Sequence, residues 1–222
     1  MTSQCCMAQD SAPPFQPLFL IEEITHRVLN EYAEAISTLA LAARGAPDRT
    51  SELTLKAAAL RLQAHAEAHR ALQAPAFGGV THLGNYVAQL CGSLSRAQLA
   101  ANGVRLTVSA GEVWLDADRS WRVGLIVAEL VRNAARHGFA GGPGAIRVEI
   151  FESARRIVCQ VSDDGHGPAS VGGGRGRPLI QALAAELAGE VEWTFTPAGC
   201  RARLEFARTG GAADGLTVAE HH

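Results

Sequence analysis

Three polar residues stand four apart inside an apolar stretch: Glu129, Asn133 and His137, between Leu125 and Phe139. A 3.6-residue period stacks them along one flank of a helix whose other positions are mostly Leu, Val, Ile and Ala. Polar groups beside a core need partners. Amide and carboxylate oxygens suit Mg²⁺, which takes few protein ligands and several phosphate oxygens. A second stretch runs as a β-type strand from Ile157 to Val161 and then into Asp163-Asp-Gly165-His-Gly167. A strand end of this kind offers a carboxylate acceptor to an amino group, and its glycines let a planar ring approach the backbone. A third stretch, Gly172-Gly-Gly-Arg-Gly176, opens a helix from Arg177. Free N–H groups and the helix dipole at that point favour anions such as phosphate.

Upstream lies Glu23-Ile-Thr-His26-Arg27-Val-Leu-Asn30. From about Gln16 to Ala43, the residues Ile21, Ile24, Val28, Tyr32, Ala35, Ile36 and Leu39 form one apolar helical stripe. His26 falls about 140° from the centre of that stripe, which turns it to solvent. A neutral imidazole is a good nucleophile near pH 7, and a carboxylate one turn away fixes its tautomer. Glu22 and Glu23 are the candidates for that carboxylate.

Glu129-Leu-Val-Arg-Asn133, Asp163-Asp-Gly165-His-Gly167 and the run from Gly174-Arg-Gly176 onward resemble the N, G1 and G2 boxes of a known ATPase domain. That domain is shared by sensor histidine kinases, gyrase, Hsp90 and MutL. Glu23 to Asn30 is similar to the phosphoacceptor box of the histidine kinase subfamily in which His is followed by Arg and then Asn. The resemblance spans roughly residues 16 to 207. It implies an α+β chain, with a helical hairpin that pairs with a second copy into a four-helix bundle, followed by an α/β-sandwich ATPase domain of the Bergerat type.

The resemblance also implies roles. Asn133 supplies an amide oxygen to Mg²⁺, Glu129 orients water or metal, and Asp163 accepts from the adenine amino group of ATP. Gly165 and Gly167 shape the adenine pocket, and Gly174 and Gly176 lie against the triphosphate. His137 stands where a second polar ligand or phosphate contact is common. His26 is the acceptor within a box that includes Arg27 and Asn30, and Glu23 is preferred over Glu22 because the resemblance covers it. The implied activity is autophosphorylation of His26 from Mg-ATP, followed by transfer to an Asp of a response-regulator receiver domain.

Two departures stand out. Arg175, Arg177 and Pro178 occupy places where the family usually has Leu in the second glycine box. Either the Arg side chains clamp phosphates or nucleotide binding is weakened. In the second case the chain is a histidine phosphotransfer protein with a degenerate ATPase domain, relaying phosphate between receivers without ATP. The segment from Pro168 to Gly172 is also short for a lid. An ATPase of the gyrase or Hsp90 type, or a serine kinase acting on an anti-sigma partner, would leave the His26 helix without a purpose.

The 222 residues suffice for one ordinary domain or two small ones, and 47% hydrophobic content is normal globular composition. A net charge of −2 with dispersed basic residues argues against a nucleic-acid face. Cys5, Cys6, Cys91, Cys159 and Cys200 show no CxxC spacing, which fits a reducing cytoplasm better than a disulfide framework or zinc site. No segment approaches the roughly 18 to 20 apolar residues of a membrane span, and no signal peptide is evident. Input then comes from a separate sensor protein, or the chain is a fragment.

Residues 1–14 read as a disordered leader, 15–77 as the hairpin, 78–207 as the ATPase domain and 208–222 as a flexible tail, with Gly78-Gly79 as hinge. The second hairpin helix is expected over Glu52 to Leu72, with His65 and His69 on a solvated face. In the ATPase domain, helices are expected over Thr81 to Ala100, Ala117 to His137 and Arg177 to Leu187. Strands are expected at Val104 to Val108, Glu112 to Asp116, Ile146 to Phe151, Arg156 to Val161, Val191 to Phe195 and Cys200 to Phe206. The pattern gives helices on one face of a mixed sheet.

Overall fold

The computed structural model describes residues 17–73, 79–139, 141–166 and 176–208. Helices α1 (Pro17–Arg44) and α2 (Arg49–Ala71) form the hairpin. Proline suits the first position of α1, because that N–H has no intrahelical acceptor. Asp48 caps α2, its carboxylate accepting the Ser51 N–H at 2.8 Å.

The second domain begins with β1 (Val80–His82) and α3 (Leu83–Leu94). A π-helical turn at Ser95–Leu99 and a 3₁₀ turn at Ala100–Asn102 extend α3. There follow β2 (Val104–Ala110), β3 (Trp114–Asp116), α4 (Ala117–His137), β4 (Gly144–Ser153) and β5 (Arg156–Asp163). The remaining elements are α5 (Gly176–Glu186), β6 (Gly189–Thr196) and β7 (Gly199–Ala207).

The main sheet has the order β2-β4-β5-β7-β6. β2 runs parallel to β4 and every other pair is antiparallel. Alternate residues of its strands face the helices: Ile146, Val148 and Ile150, then Ile157, Cys159 and Val161, then Ala202, Leu204 and Phe206. Against them α4 lays Val123, Ile126, Val127, Leu130 and Val131, flanked by Val87, Leu90 and Leu94 of α3 and Ile180 and Leu183 of α5. The expected α+β architecture, a helical hairpin followed by helices on one face of a mixed sheet, is the one observed.

Three local expectations are corrected. Thr81 to Ala100 is not one helix, because Val80-Thr81-His82 pairs antiparallel with Trp114–Asp116. β-branched Val80 and Thr81 favour that ribbon, and His82 starts the helix only afterwards, its Nδ1 accepting the Asn85 N–H at 3.0 Å. The strand expected from Glu112 therefore shortens to Trp114–Asp116 and lies outside the main sheet. Third, His65 and His69 are half-buried rather than solvated. The His69 ring lies 5.5 Å from that of Tyr32 on α1.

The far end of α2 is fastened to the ATPase domain. Ala64 and Ala68 join the core of that domain. Trp121 Nε1–H donates to the Leu72 carbonyl at 2.9 Å and Tyr86 Oη–H donates to the Ala71 carbonyl at 3.4 Å. Arg96, in the π-helical turn, pairs with Glu67 at 3.1 Å. The carbonyl of Gly79 accepts the Ala117 N–H at 3.0 Å, so Gly79 is tied to α4 and is not a free hinge. Gly78 lies outside the described residues.

Candidate active site

The site forms where the C-terminal half of α4, the end of β5, the start of α5 and the start of β7 meet. α4 is continuous through Glu129, Asn133 and His137, so the four-residue spacing does put them on one flank. Glu129 and Asn133 are half-buried, and His137, the last residue of the helix, is exposed. Glu129 lies between two neighbours. Its Oε2 is 3.5 Å from Arg132 Nη1, and its other oxygen abuts Gly176, where a Cβ would collide with the carboxylate. The N-box acid and the opening of α5 are thus in contact.

Gly165 is buried against the backbone of Gly138, which directly follows α4, and a methyl group there would overlap the Gly138 carbonyl. The His166 N–H donates to the same carbonyl at 2.9 Å. Asp164 seals the other side, exchanging bonds with Ala145: its N–H donates to the carbonyl at 3.2 Å and its Oδ1 accepts the N–H at 2.7 Å. The loop after β5 is therefore held at both edges, and it presents Asp163 in a fixed pose.

Asp163 is half-buried. Its Oδ1 accepts the Gly165 N–H at 3.0 Å and the Cys200 N–H at 3.4 Å. Among the described residues Oδ2 has no protein partner, which leaves an acceptor for a ligand donor. Burial raises the carboxyl above its ordinary range and the Asp164 charge adds to the rise, while the two backbone N–H groups oppose it. The neighbouring Cys200 thiol is pushed up to about 11, first by burial and then by the Asp163 charge.

Gly199 makes the close approach of β7 possible. It has φ +129°, and a Cβ there would run into the Asp163 carbonyl. Gly199→Ala should therefore lower the melting temperature by the equivalent of roughly 1–3 kcal/mol and weaken ligand binding at Asp163 in step. Thermal unfolding with and without nucleotide checks both effects.

Arg177 stacks on Trp193 of β6, its guanidinium carbon 4.4 Å from the ring centroid. Of the two readings of the altered glycine box, this one residue fits neither directly, since its charge is spent on fixing α5 to the sheet. Gly167, Gly174 and Arg175 lie outside the described residues. His26, Arg27 and Asn30 are exposed on α1, as the helical stripe requires. Glu23 falls within α1, its side chain outside the described set.

Sequence reasoning missed Gly138, Gly199, Cys200, Arg132 and Trp193. Gly138 had a signal, a glycine directly behind a helix carrying three aligned polar residues. Gly199 had a weaker one, at the end of Thr196-Pro-Ala-Gly between two strands. The rest act through neighbours distant in sequence.

The donor set fits the implied groups. An anchored carboxylate with one spare oxygen suits an amino group of a purine, and Asn133 with Glu129 suits Mg²⁺, which draws most of its oxygens from phosphate and water. Among the described residues no three His, Cys, Asp or Glu side chains gather as a metal cluster.

Comparison with known proteins agrees with this geometry. A family model described as histidine kinase matches residues 23–98, and one described as histidine kinase-like ATPase domain matches residues 93–205. The chain belongs to the histidine kinase family. This family member is 27% identical over 182 residues to blue-light-activated histidine kinase 2 of Erythrobacter litoralis, covering 75% of the chain and 52% of the relative. It is 28% identical over 149 residues to the sensor histidine kinase PdtaS of Mycolicibacterium smegmatis, covering 66% and 30%. The chain thus spans about half or less of these relatives.

In fold, the histidine kinase domain of Erythrobacter litoralis EL346 matches with a TM-score of 0.56 at 19% identity, covering 78% of this chain and 95% of that one. The histidine kinase AdeS of Acinetobacter baumannii matches at 0.52 and 14% identity, covering 86% and 98%. The second model places a histidine kinase-like ATPase domain over residues 93–205. Among the described residues no helix is long and apolar enough to cross a membrane.

Proposed function

We propose that this chain is an ATP-dependent protein histidine kinase that phosphorylates His26 and passes the phosphoryl group to an Asp of a response-regulator receiver domain. The observation that carries the reading is the Asp163 carboxylate. It is half-buried, pinned through one oxygen by two backbone N–H groups, and set beside the glycine contacts that join α4, β5 and α5.

In this mechanism Asp163 Oδ2 accepts from the adenine amino group and fixes the base, and the first turn of α5 from Gly176 receives the phosphates. Asn133 and Glu129 would hold Mg²⁺, which when bound neutralises charge on the phosphoryl oxygens. A neutral ring nitrogen of His26 attacks the γ-phosphorus. The N–P bond forms as the bond to the leaving oxygen breaks, and its electron pair departs with ADP. Glu23 holds the proton on the other ring nitrogen and stabilises the charge the ring acquires. Transfer asks for alignment more than for further chemistry, which suits an exposed acceptor and a rigid pocket.

The hairpin surface supports one partner. Leu41, Leu53 and Leu60 are exposed on the hairpin, which supports its pairing with a second copy as a homodimer. A receiver domain as the phosphoryl acceptor completes a two-component system in the cytoplasm.

Calorimetric titration with a non-hydrolysable ATP analogue and Mg²⁺ tests the reading. Saturable binding is expected for the wild type and a loss of about tenfold or more in Asn133→Ala. No detectable binding to the wild type would overturn the kinase and favour the relay protein.

A further inference from the structure

We infer, resting on the kinase reading above, that Arg177 is a positioning residue for the phosphates: stacked on Trp193, it holds the start of α5 at a set separation from Asp163, so that one nucleotide can meet both. The guanidinium carbon lies 4.4 Å from the indole centroid. Arg177 is the second residue of α5, the helix whose first turn receives the phosphates on that reading. An arginine there runs against the helix dipole, whose positive end disfavours a cation. The first turn holds no acidic residue to offset it, and among the described residues no carboxylate pairs with the guanidinium. The indole face is what makes the position tolerable.

Among the described residues, no other side chain of this turn is anchored. Pro178 and Leu179 are exposed, and Ile180 is the first residue of α5 to reach the core. Glu129 touches Gly176 from α4, but a glycine gives it no side chain to hold. The far end of α5 is fixed separately, by Arg122 Nε and Glu186 Oε2 at 2.6 Å. Pro178 also lacks an N–H, so the turn has one donor fewer for an anion and the placing of the rest matters more.

The hairpin that carries Trp193 also reaches the base-binding end of the site. Trp193 packs against the core beneath the helices, beside Ala202 of β7. Two residues on, Phe195 pairs with Cys200, and then Thr196 with Gly199 at the tip of the same hairpin. The Cys200 N–H donates to Asp163 Oδ1 at 3.4 Å, and Gly199 lies against the Asp163 carbonyl. The two anchors are thus about 7 Å apart along one strand pair. Backbone hydrogen bonds keep paired strands from sliding, so the hairpin works as a ruler. β7 fixes the carboxylate that takes the base, and β6, through Arg177, fixes the helix that takes the phosphates. The guanidinium charge also reaches Cys200, where it opposes the rise of the thiol.

Calorimetric titration of the full chain with a non-hydrolysable ATP analogue and Mg²⁺ tests this across a set of variants. Arg177→Ala and Trp193→Ala should each weaken binding by about tenfold. The double variant should lose no more than either alone, because both changes remove the same contact. Arg177→Met, whose flexible thioether chain still packs on an indole, should recover most of the loss. Adenosine reaches Asp163 but carries no phosphates, and its affinity should change by less than about threefold in every variant. Should Trp193→Ala fail to fold, Trp193→Leu, which fills the space without a π face, takes its place. Unchanged analogue binding in Arg177→Ala, losses that multiply in the double variant, or a parallel loss for adenosine would each overturn the inference. So would an Arg177→Met as weak as Arg177→Ala beside an unaltered Trp193→Ala, the signature of a guanidinium that touches phosphate itself. A wild type that binds no analogue defeats the kinase reading itself, a result distinct from all of these.

Discussion

His26→Ala takes up no acid-labile ³²P from γ-labelled ATP, and its affinity for a non-hydrolysable ATP analogue stays within about twofold of the wild type. The first half follows from chemistry. A phosphoryl group on an imidazole nitrogen is lost in acid, and alanine offers no nucleophile. The second half follows from the architecture. His26 is exposed on α1, whereas the groups that would hold nucleotide lie on α4, the loop after β5 and the start of α5. Truncating an exposed side chain on another element leaves those groups in place. Label that persists in His26→Ala would move the acceptor elsewhere. A parallel loss of analogue binding would show that His26 belongs to the pocket. Autoradiography before and after acid treatment, beside calorimetry, separates these outcomes.

Asp163→Asn should produce opposite changes in stability and in binding. Asparagine keeps an oxygen for the Gly165 and Cys200 N–H groups, so the loop after β5 retains its anchors. The other end of the side chain becomes an NH₂ donor where the wild type offers an acceptor, and it meets the amino group of adenine donor to donor. A site built around one hydrogen bond rejects a ligand that cannot make it, and the loss should be on the order of 100-fold in affinity.

Stability moves the other way. Burial raises the folded-state carboxyl above its unfolded value. The contribution of such a group is therefore fully present below the unfolded value and is lost as the pH rises through the raised folded value. At neutral pH the ionised Asp163 destabilises the free protein, and Asp163→Asn should melt higher. The gap should close as the pH falls toward the ordinary carboxylate range. A melting temperature that drops at pH 7, or an affinity left unchanged, would remove Asp163 from its assigned role. Thermal unfolding across pH 4 to 8, with calorimetry at pH 7, provides the check.

The helices of the site were legible because their pattern is strong. α4 combines an Asp116 cap, whose carboxylate accepts the Arg119 N–H at 2.8 Å, with an apolar stripe sustained over five turns. The spacing of the three polar residues on its flank therefore sufficed to place them. The sheet was legible for the same reason, through alternation at Ile146, Val148 and Ile150 and at Ile157, Cys159 and Val161.

What failed was decided by partners far along the chain. Val80-Thr81-His82 becomes a strand only because Trp114–Asp116 lies beside it, a pairing no local window contains. His69 left the solvated face because Tyr32, in another helix, covers it. The groups that hold Asp163 were invisible for a related reason: Cys200 and Gly199 act through their backbone, which leaves no mark in side-chain chemistry. Arg177 shows the same limit, since its role was set by Trp193 on a different strand.

Helix α1 is continuous from Pro17 through His26, nine residues on, to Arg44. Those nine residues make about 14 Å of continuous helix, a stiff shaft. A torque applied at its upper end reaches the imidazole almost undiminished. The companion helix α2 is fastened to the ATPase domain at Ala71 and Leu72, so a rotation of α1 against α2 would change the bearing of His26 relative to that domain. On the kinase reading, the angle between the two hairpin helices is then a quantity that sets whether the ring and the nucleotide come into line.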